Sequence, residues 1–329
     1  MPGCSLFFPR TAVLVLTILA LNNTFASEPL YVTNTSPLAG LLGLPAQRTA
    51  ASETPGSFTV AMHAGVASHY VSKQTPTEEL HIDGETASVV LDARYGFAPR
   101  WDVQLELPWI QHSRGQLDSV IDSWHDLWGT STGGRSSSPP DQLRYYYRAP
   151  DNAFDLPDKV SGVGDITLAL NRELMRTEKS LLSARLGYKF ASGRESNFLG
   201  SGGDDVFISL NVSGVDLGGW PLGWHGQIGY LRAGSSDLLG SQQEKNLWFA
   251  GVSFDWAVRD SLSLLAQLDS HAAPLDSDIT ALGSEAFLLS LGMRWRFTQQ
   301  WSMDFSLIED VRVSTAPDVT FQASLRYRP

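Results

Sequence analysis

Three groups of titratable residues have spacings at which catalysis or metal binding is chemically feasible. His125 follows Asp122 by three residues, so a helix would bring a base and a carboxylate onto one face. The run His81-x-Asp83-x-Glu85 and the loop Gly200–Asp205 carry oxygen ligands suited to a divalent cation. For His125 and Asp122 we favour helix capping and surface solubility, and the other two groups are weak signals of a cation site. Since Gly-x-Ser-x-Gly and His-Glu-x-x-His motifs are also missing, the sequence predicts no enzyme, no cofactor and no metal site.

A larger set of charged side chains recurs at alternate positions within otherwise apolar segments. On strands that close into a ring, these side chains would face an enclosed, wet lumen, where they either select ions or pair and brace the wall. We favour bracing. The predicted lumen-lining residues are Asp92, Arg94, Asp102, Glu106, Arg185, Lys189, Asp255, Asp269, Arg294, Arg296, Asp304 and Arg326.

Two cross-strand pairs follow from turn positions. If Phe297 pairs with Trp301, Arg294 lies opposite Asp304 and an ion pair is expected. By the same argument, pairing Phe97 with Trp101 places Arg94 opposite Gln104, diagonally between Asp102 and Glu106.

The elements that must position these side chains are β-strands with two unlike faces. Apolar and polar residues alternate most clearly from Phe287 to Phe297. The same period predicts twelve strands, near 57–70, 86–97, 101–109, 164–173, 181–190, 205–213, 224–232, 246–258, 261–270, 286–297, 301–309 and 318–328. Linkers alternate between mostly short and long, as in a barrel with short periplasmic turns and long extracellular loops. We therefore predict an all-β fold, a transmembrane antiparallel β-barrel of about twelve strands. A soluble β-sandwich with one wet face is the alternative.

The chain divides into a leader, an N-terminal segment and the barrel. Arg10, a ten-residue apolar run and Thr24-Phe25-Ala26 predict a cleaved signal peptide over 1–26. The only cysteine, Cys4, lies within it. Residues 27–56 are predicted as a periplasmic N-terminal segment that lies across the lumen, lies against the rim or serves as a linker. The barrel spans 57–329, with a long loop insertion at 110–163.

The long loop is predicted to be extracellular and to contain a short amphipathic helix. Apolar residues recur at helical spacing from Leu117 to Trp128, and Gly129 would end the helix. The helix must bury its apolar stripe, either by plugging the barrel mouth, which we favour, or by lying on the outer leaflet. The candidate residues of this loop are Asp118, Asp122, Trp124, His125 and Arg135.

The charge and the tryptophan content of the chain indicate which partners and environments are expected. A formal net charge of −11 argues against nucleic acid as a partner. Ten tryptophans are many for a soluble domain of this size. Trp248 and Trp256 share one face of a predicted strand, at the spacing of two aromatic girdles.

Several stretches resemble an uncharacterised proteobacterial outer-membrane barrel family, domain of unknown function 3187. They are Leu30-Tyr31-Val32-x-Asn34-x-Ser36-Pro37-Leu38, the helix from Gly115 to Gly129, and Gly162-Val163-Gly164-Asp165-Ile166. The Gly-x-Gly-Asp strand start and the loop from Ser192 to Asp205 are also similar, more distantly, to outer-membrane barrels assigned to uptake of aromatic compounds. The resemblance implies the outer membrane of a Gram-negative bacterium and insertion by the barrel assembly machinery.

Two functions are expected from different classes. The first is a narrow channel or transport protein for small solutes, with the solute unknown. The second is a non-conducting structural or interaction barrel whose loops bind lipopolysaccharide or a partner. A lipid-modifying enzyme has less support, because no serine and histidine are presented together.

Overall fold

The computed structural model describes residues 27–115, 142–311 and 315–329, which contain fifteen β-strands. The predicted signal peptide, 1–26, lies outside the described residues. The strands are β1 (Phe58–Gln74), β2 (Glu79–Ala98), β3 (Trp101–Ser113), β4 (Arg144–Ala149), β5 (Asn152–Leu156), β6 (Val160–Val163), β7 (Ile166–Arg176), β8 (Ser180–Phe190), β9 (Asp205–Gly214), β10 (Leu222–Arg232), β11 (Asn246–Arg259), β12 (Leu262–His271), β13 (Ala286–Arg296), β14 (Trp301–Asp310) and β15 (Val319–Tyr327).

Twelve of these strands close into an antiparallel barrel. The order is β1-β2-β3, then β7 to β15 in sequence, and β15 pairs back to β1. At the closing seam, for example, Ala64 lies opposite both Ala323 and Val89. Closure leaves no open sheet edge, as a barrel in lipid requires. The predicted twelve-stranded barrel is therefore confirmed, and the two-sheet sandwich is ruled out.

The insertion between β3 and β7 adds three short strands that the sequence analysis did not predict. Strand β4 pairs with the N-terminal part of β2, where Leu80 lies opposite Tyr147. Strand β5 in turn pairs with β4. Strand β6 pairs with the C-terminal part of β3, where Trp109 lies opposite Val163. The predicted loop helix, with Asp118, Asp122, Trp124, His125 and Arg135, lies outside the described residues.

The two faces of the ring have opposite character. Along β11, Trp248, Phe254 and Trp256 are exposed on the outer face, whereas Ser253 and Asp255 are buried on the inner face. This alternation suits a barrel with lipid outside and a polar interior. Within the described chain, no helix is both long and apolar enough to cross a membrane.

The two ends of the barrel differ. The turn end carries both described termini and short connections such as 99–100, 260–261 and 297–300. Of the described residues, the loop end carries 75–78, 114–115, 142–165, 191–204, 233–245, 272–285, 311 and 315–318. Loops and β4 pack there into an apolar cluster that includes Tyr145, Tyr147, Leu239, Leu275 and Leu282, all buried. This cluster lies across the loop end of the ring, and Leu38, Leu41 and Leu42 from the N-terminal residues form part of it.

Candidate functional site

Residues 27–56, here called the lumen segment, pass through the interior of the barrel twice. Ser27 contacts Asp255 near the turn end. The Asn34 amide then bonds His271 at 3.0 Å and the Thr315 carbonyl at 3.1 Å, both at the loop end. By Glu53, whose backbone N–H donates to Asp102 at 3.1 Å, the chain has returned to the turn end. The segment therefore lies inside the ring of twelve strands.

The lumen segment has almost no regular secondary structure because its partners are on the barrel wall. Pro37 and Pro45 bracket its tip, and neither can donate a backbone hydrogen bond. Some backbone N–H groups donate within the segment, as Gly40 does to the Ser36 carbonyl, and wall side chains accept others. Gly43 donates to Asp205 at 2.8 Å and Ala50 donates to Ser213 Oγ at 2.8 Å. Buried backbone groups are thereby satisfied without a strand or helix.

The tip of the lumen segment is apolar and forms part of the loop-end cluster. Leu38, Leu41 and Leu42 are buried there with Phe198 and Phe207. Full burial of one such side chain contributes about 1.5–3 kcal/mol. Apolar packing at the tip therefore favours the segment inside the barrel.

Deeper in the lumen, the segment is held by a buried charge cluster. Arg48 Nη2 lies 2.7 Å from Asp92 and 2.8 Å from Glu106. The Gln104 amide nitrogen donates to Asp92 at 2.8 Å, and Arg185 donates to Gln104 Oε1 at 2.6 Å. Every charged group named here has a partner of opposite charge or a hydrogen bond, which buried charge requires.

A second buried pair braces the wall itself. Arg294 donates to both carboxylate oxygens of Asp304, at 2.6 and 2.8 Å, and Arg326 lies 3.6 Å from the same carboxylate. The predicted Arg294–Asp304 pair is therefore confirmed, with the two residues directly opposite in register.

The predicted pairing of β2 with β3 is confirmed at Arg94 and Gln104 but differs at the turn between the two strands. Arg94 lies opposite Gln104, and Arg94 Nη2 lies 3.3 Å from Asp102. The expected pairing of Phe97 with Trp101 is wrong. A bulge between Gly96 and Ala98 leaves Ala98 opposite Trp101.

The twelve predicted lumen-lining residues occupy the described barrel strands as follows. Eight are buried: Asp92, Arg94, Asp102, Arg185, Lys189, Asp255, Arg294 and Asp304. Four are partly buried: Glu106, Asp269, Arg296 and Arg326. The segment residues that meet them, Glu28, Arg48 and Glu53, were missed by the sequence analysis.

Lys189 joins the tip of the lumen segment to the barrel wall and to the loop at 191–204. Its ammonium group lies 2.7 Å from Asp165 and 3.2 Å from Asp205. It also donates to the Leu41 carbonyl at 3.1 Å and to Ser201 Oγ at 2.5 Å. The Gly200–Asp205 loop therefore binds a lysine of the chain itself with oxygen ligands that the sequence analysis had weighed for a cation.

One side of the lumen is lined by neutral polar residues. Side-chain oxygens of Ser183, Asn211, Gln227, Gln267 and Ser290, on β8 to β13, are buried without a hydrogen-bond partner in the described residues. Buried polar atoms are normally satisfied by protein or by water. This side of the lumen is therefore suited to hold water beside the segment.

Glu78, in the loop between β1 and β2, ties together the loops at the loop end. Its carboxylate accepts hydrogen bonds from Tyr147 Oη at 2.7 Å, Gln242 Nε2 at 2.6 Å, Ser277 Oγ at 2.8 Å and the Asp278 N–H at 3.1 Å. Burial raises the pKa of Glu78, but these hydrogen bonds outweigh it and hold the pKa below its ordinary value. In the described parts of the chain, no three His, Cys, Asp or Glu side chains are placed to hold a metal ion.

A family model matches nearly the whole chain, and one solved structure supports the fold. The profile of a family described as "Protein of unknown function (DUF3187)" matches residues 10–328. No curated protein sequence matches the chain. Among solved structures, the COG4313 outer membrane channel from Pseudomonas putida F1 is similar with a TM-score of 0.53 and 15% identity, over 84% of this chain and 96% of that one.

Two further structures are more distant. The P. putida toluene transporter TodX has a TM-score of 0.42 and 13% identity, over 92% of this chain and 96% of that one. The NanC porin has a TM-score of 0.45 and 7% identity, over 82% and 98%.

Proposed function

This chain belongs to the DUF3187 family, and we propose that it is an outer-membrane channel for small solutes that its own lumen segment closes. One observation carries the proposal: the ring of twelve strands is wide enough to hold two passes of the polypeptide chain. Barrel diameter grows with strand number, and twelve strands give this lumen its width. When the segment leaves, a lumen of that width becomes a water-filled path.

The hydrogen bonds between the lumen segment and the barrel wall are of a kind that allows the segment to leave the lumen. Gln47 donates to Asp269 at 2.7 Å, Gly43 to Asp205 at 2.8 Å and Ala50 to Ser213 at 2.8 Å. Water can replace each of these partners, so the bond to Ser213 contributes a net of only about 0.5–1.5 kcal/mol and each bond to a carboxylate about 1.5–3 kcal/mol. The segment is continuous with β1 at the turn end, and nothing covalent in the described chain joins its tip to the wall.

We assign the turn end to the periplasm and the loop end to the cell exterior. This orientation gives the short connections to the periplasmic side and the long ones to the outside, as is usual for such barrels. The outer apolar face then contacts membrane lipid. Lipopolysaccharide at the loop end and the assembly machinery remain predictions for this chain. The proposal includes no catalytic step.

Ion conductance in planar bilayers tests the proposal. We expect the mature chain to conduct little, and a variant lacking residues 28–53 to give steady current steps with at least tenfold larger mean current. A variant lacking Leu217–Gly219, an exposed turn at the turn end, is the matched control and should behave like the intact chain. If the folded variant lacking 28–53 carries no current, the proposal is wrong.

The second candidate is the non-conducting structural or interaction barrel. It is favoured by the paired buried charges around Arg48 and Arg294 and by the apolar cluster that covers the loop end. The same recordings separate the two candidates, since a structural barrel stays closed with or without the segment.

A further inference from the structure

A cavity of about 140 Å³ lies between the tip of the lumen segment and the barrel wall. The segment supplies about half of the residues around it, including Leu41, Leu42 and Ala46. Strands β2 and β3 supply Val90, Pro108 and Ile110, among others. Polar residues such as Thr35 and Ser88 also line the cavity, but most of its lining surface is apolar, which favours a mainly apolar occupant over water alone.

The charged groups and the histidine at the edge of the cavity already have partners, whereas the Thr35 hydroxyl is buried there without a hydrogen-bond partner in the described residues. His112 bonds Thr86 Oγ1 at 2.9 Å through Nδ1 and the Phe198 carbonyl at 2.9 Å through Nε2. Glu106 accepts a hydrogen bond from Arg48 at 2.8 Å. Lys189, as described above, lies between two aspartates. A charged ligand would therefore lose its hydration and find no free group of opposite charge among these residues.

The volume of the cavity limits the size of the molecule that it can bind. A buried cavity of about 150 Å³ lined by aliphatic and aromatic side chains stays dry and takes up benzene or xenon. The cavity described here has nearly the same volume. It therefore matches a molecule with about one six-membered ring.

From this match we infer that the cavity is a binding site for a small, uncharged, mainly apolar molecule of about that size. The inference rests on the proposed function and deepens it, because it names the class of solute that the closed barrel holds. It also places the solute against the tip of the lumen segment, so that removing the segment removes half of the site.

The probe is fluorobenzene, titrated by ¹⁹F NMR against the full mature chain in lipid nanodiscs. Val90→Phe fills the cavity from the wall, since Val90 is buried against Tyr31 and Ala46. The matched control is Val89→Phe, because Val89 is the next residue of β2, is 36% exposed and lies on the lipid face. This control carries the same substitution and the same lipid, so it accounts for fluorobenzene that dissolves in the bilayer.

We expect saturable binding to the unmodified chain and to Val89→Phe with equal Kd, and a Kd at least tenfold higher for Val90→Phe. If Val90→Phe does not fold, Ala46→Leu fills the cavity from the segment side and should raise the Kd in the same way. Equal Kd values for the folded cavity-filling variant and the unmodified chain would overturn the inference, as would the lack of saturable binding to the unmodified chain.

The binding experiment and the conductance experiment can fail independently, so the binding site and the channel are tested separately. The variant lacking residues 28–53 should conduct ions and should lose fluorobenzene binding. Conductance without binding to the full chain refutes the site alone. Binding to the full chain without conductance of the shortened variant refutes the channel alone.

Discussion

Replacing Arg48 with methionine should release the lumen segment from the barrel wall. Arg48 is the segment's main ionic contact, with its side chain 7% exposed between Asp92, 4% exposed, and Glu106, 13% exposed. Methionine keeps much of the side-chain volume and removes the charge. Two buried carboxylates would then face the segment without their cation while the barrel is closed. In the open barrel, water can solvate them.

The size of the effect follows from the loss of one partner of a buried ion pair, which costs about 3–5 kcal/mol. Gln104 continues to donate to Asp92 at 2.8 Å and to Glu106 at 3.2 Å, so we take the lower limit. At about 1.4 kcal/mol for each factor of ten, the population with the segment released should rise about a hundredfold.

Thiol labelling measures that population. Cys4 is the only cysteine of the chain and is replaced by serine. Ala50→Cys then places a single thiol on the segment at a fully buried position beside Ser213. The rate of reaction with a small water-soluble maleimide reports how often the segment leaves. Arg148→Met is the matched control, because the Arg148–Glu79 pair at 3.0 Å is exposed, 64% and 39%, and contributes little.

We expect labelling of the Arg48→Met variant to be about a hundredfold faster than that of the unmodified background, and labelling of the Arg148→Met variant to change by less than threefold. If Arg48→Met and Arg148→Met are labelled at the same rate, the buried ion cluster does not hold the segment, and this reasoning is wrong.

Three further predictions concern other contacts. Gly96→Val should also speed labelling of the segment, because a Cβ at Gly96 would lie 2.3 Å from the Thr54 carbonyl oxygen and the backbone there must move. Since the pKa of Glu78 is lowered in the folded chain, its stabilising effect is present above the ordinary carboxyl pKa and is lost as the pH falls below it; the amide-exchange protection factors at 236–244, corrected for the intrinsic pH dependence of exchange, should therefore fall on acidification, and Glu78→Gln should remove that dependence. Arg294→Met should lower the temperature of unfolding seen as a gel-mobility shift, and the double variant with Asp304→Leu should recover part of the loss, because no buried charge is then left unpaired.

The barrel was predictable because alternation records which side chains face lipid. Along β13, Leu289, Leu291, Met293 and Trp295 are exposed, and Ser290 and Arg294 are buried, as the period of two indicates. The twelve strands and the Arg294–Asp304 pair follow from that period and from turn positions. Strand β4 was not predicted, because both faces of Arg144–Ala149 carry aromatic residues and the period is lost.

The path of the lumen segment was not predictable, because its conformation is determined by the wall. Arg48 and Glu53 have partners of opposite charge, Asp92 and Arg94, that lie more than about forty residues further along the chain. Two signals were nonetheless present. The segment carries Arg48 and Glu53 between Pro45 and Pro55. The lumen face of the strands also carries many charged residues, which need partners inside the barrel.

A disulfide across the lumen tests the central claim most directly. In the Cys4→Ser background, Ala50→Cys is combined with Ser213→Cys, whose positions are in hydrogen-bond contact although 163 residues apart. Mild oxidation of the folded protein in lipid should link them, and peptide mass spectrometry should detect the bond. Ala50→Cys combined with Ser241→Cys, at the loop end, should stay unlinked. If the first pair remains reduced, or both pairs link equally, the segment does not lie in the barrel as described.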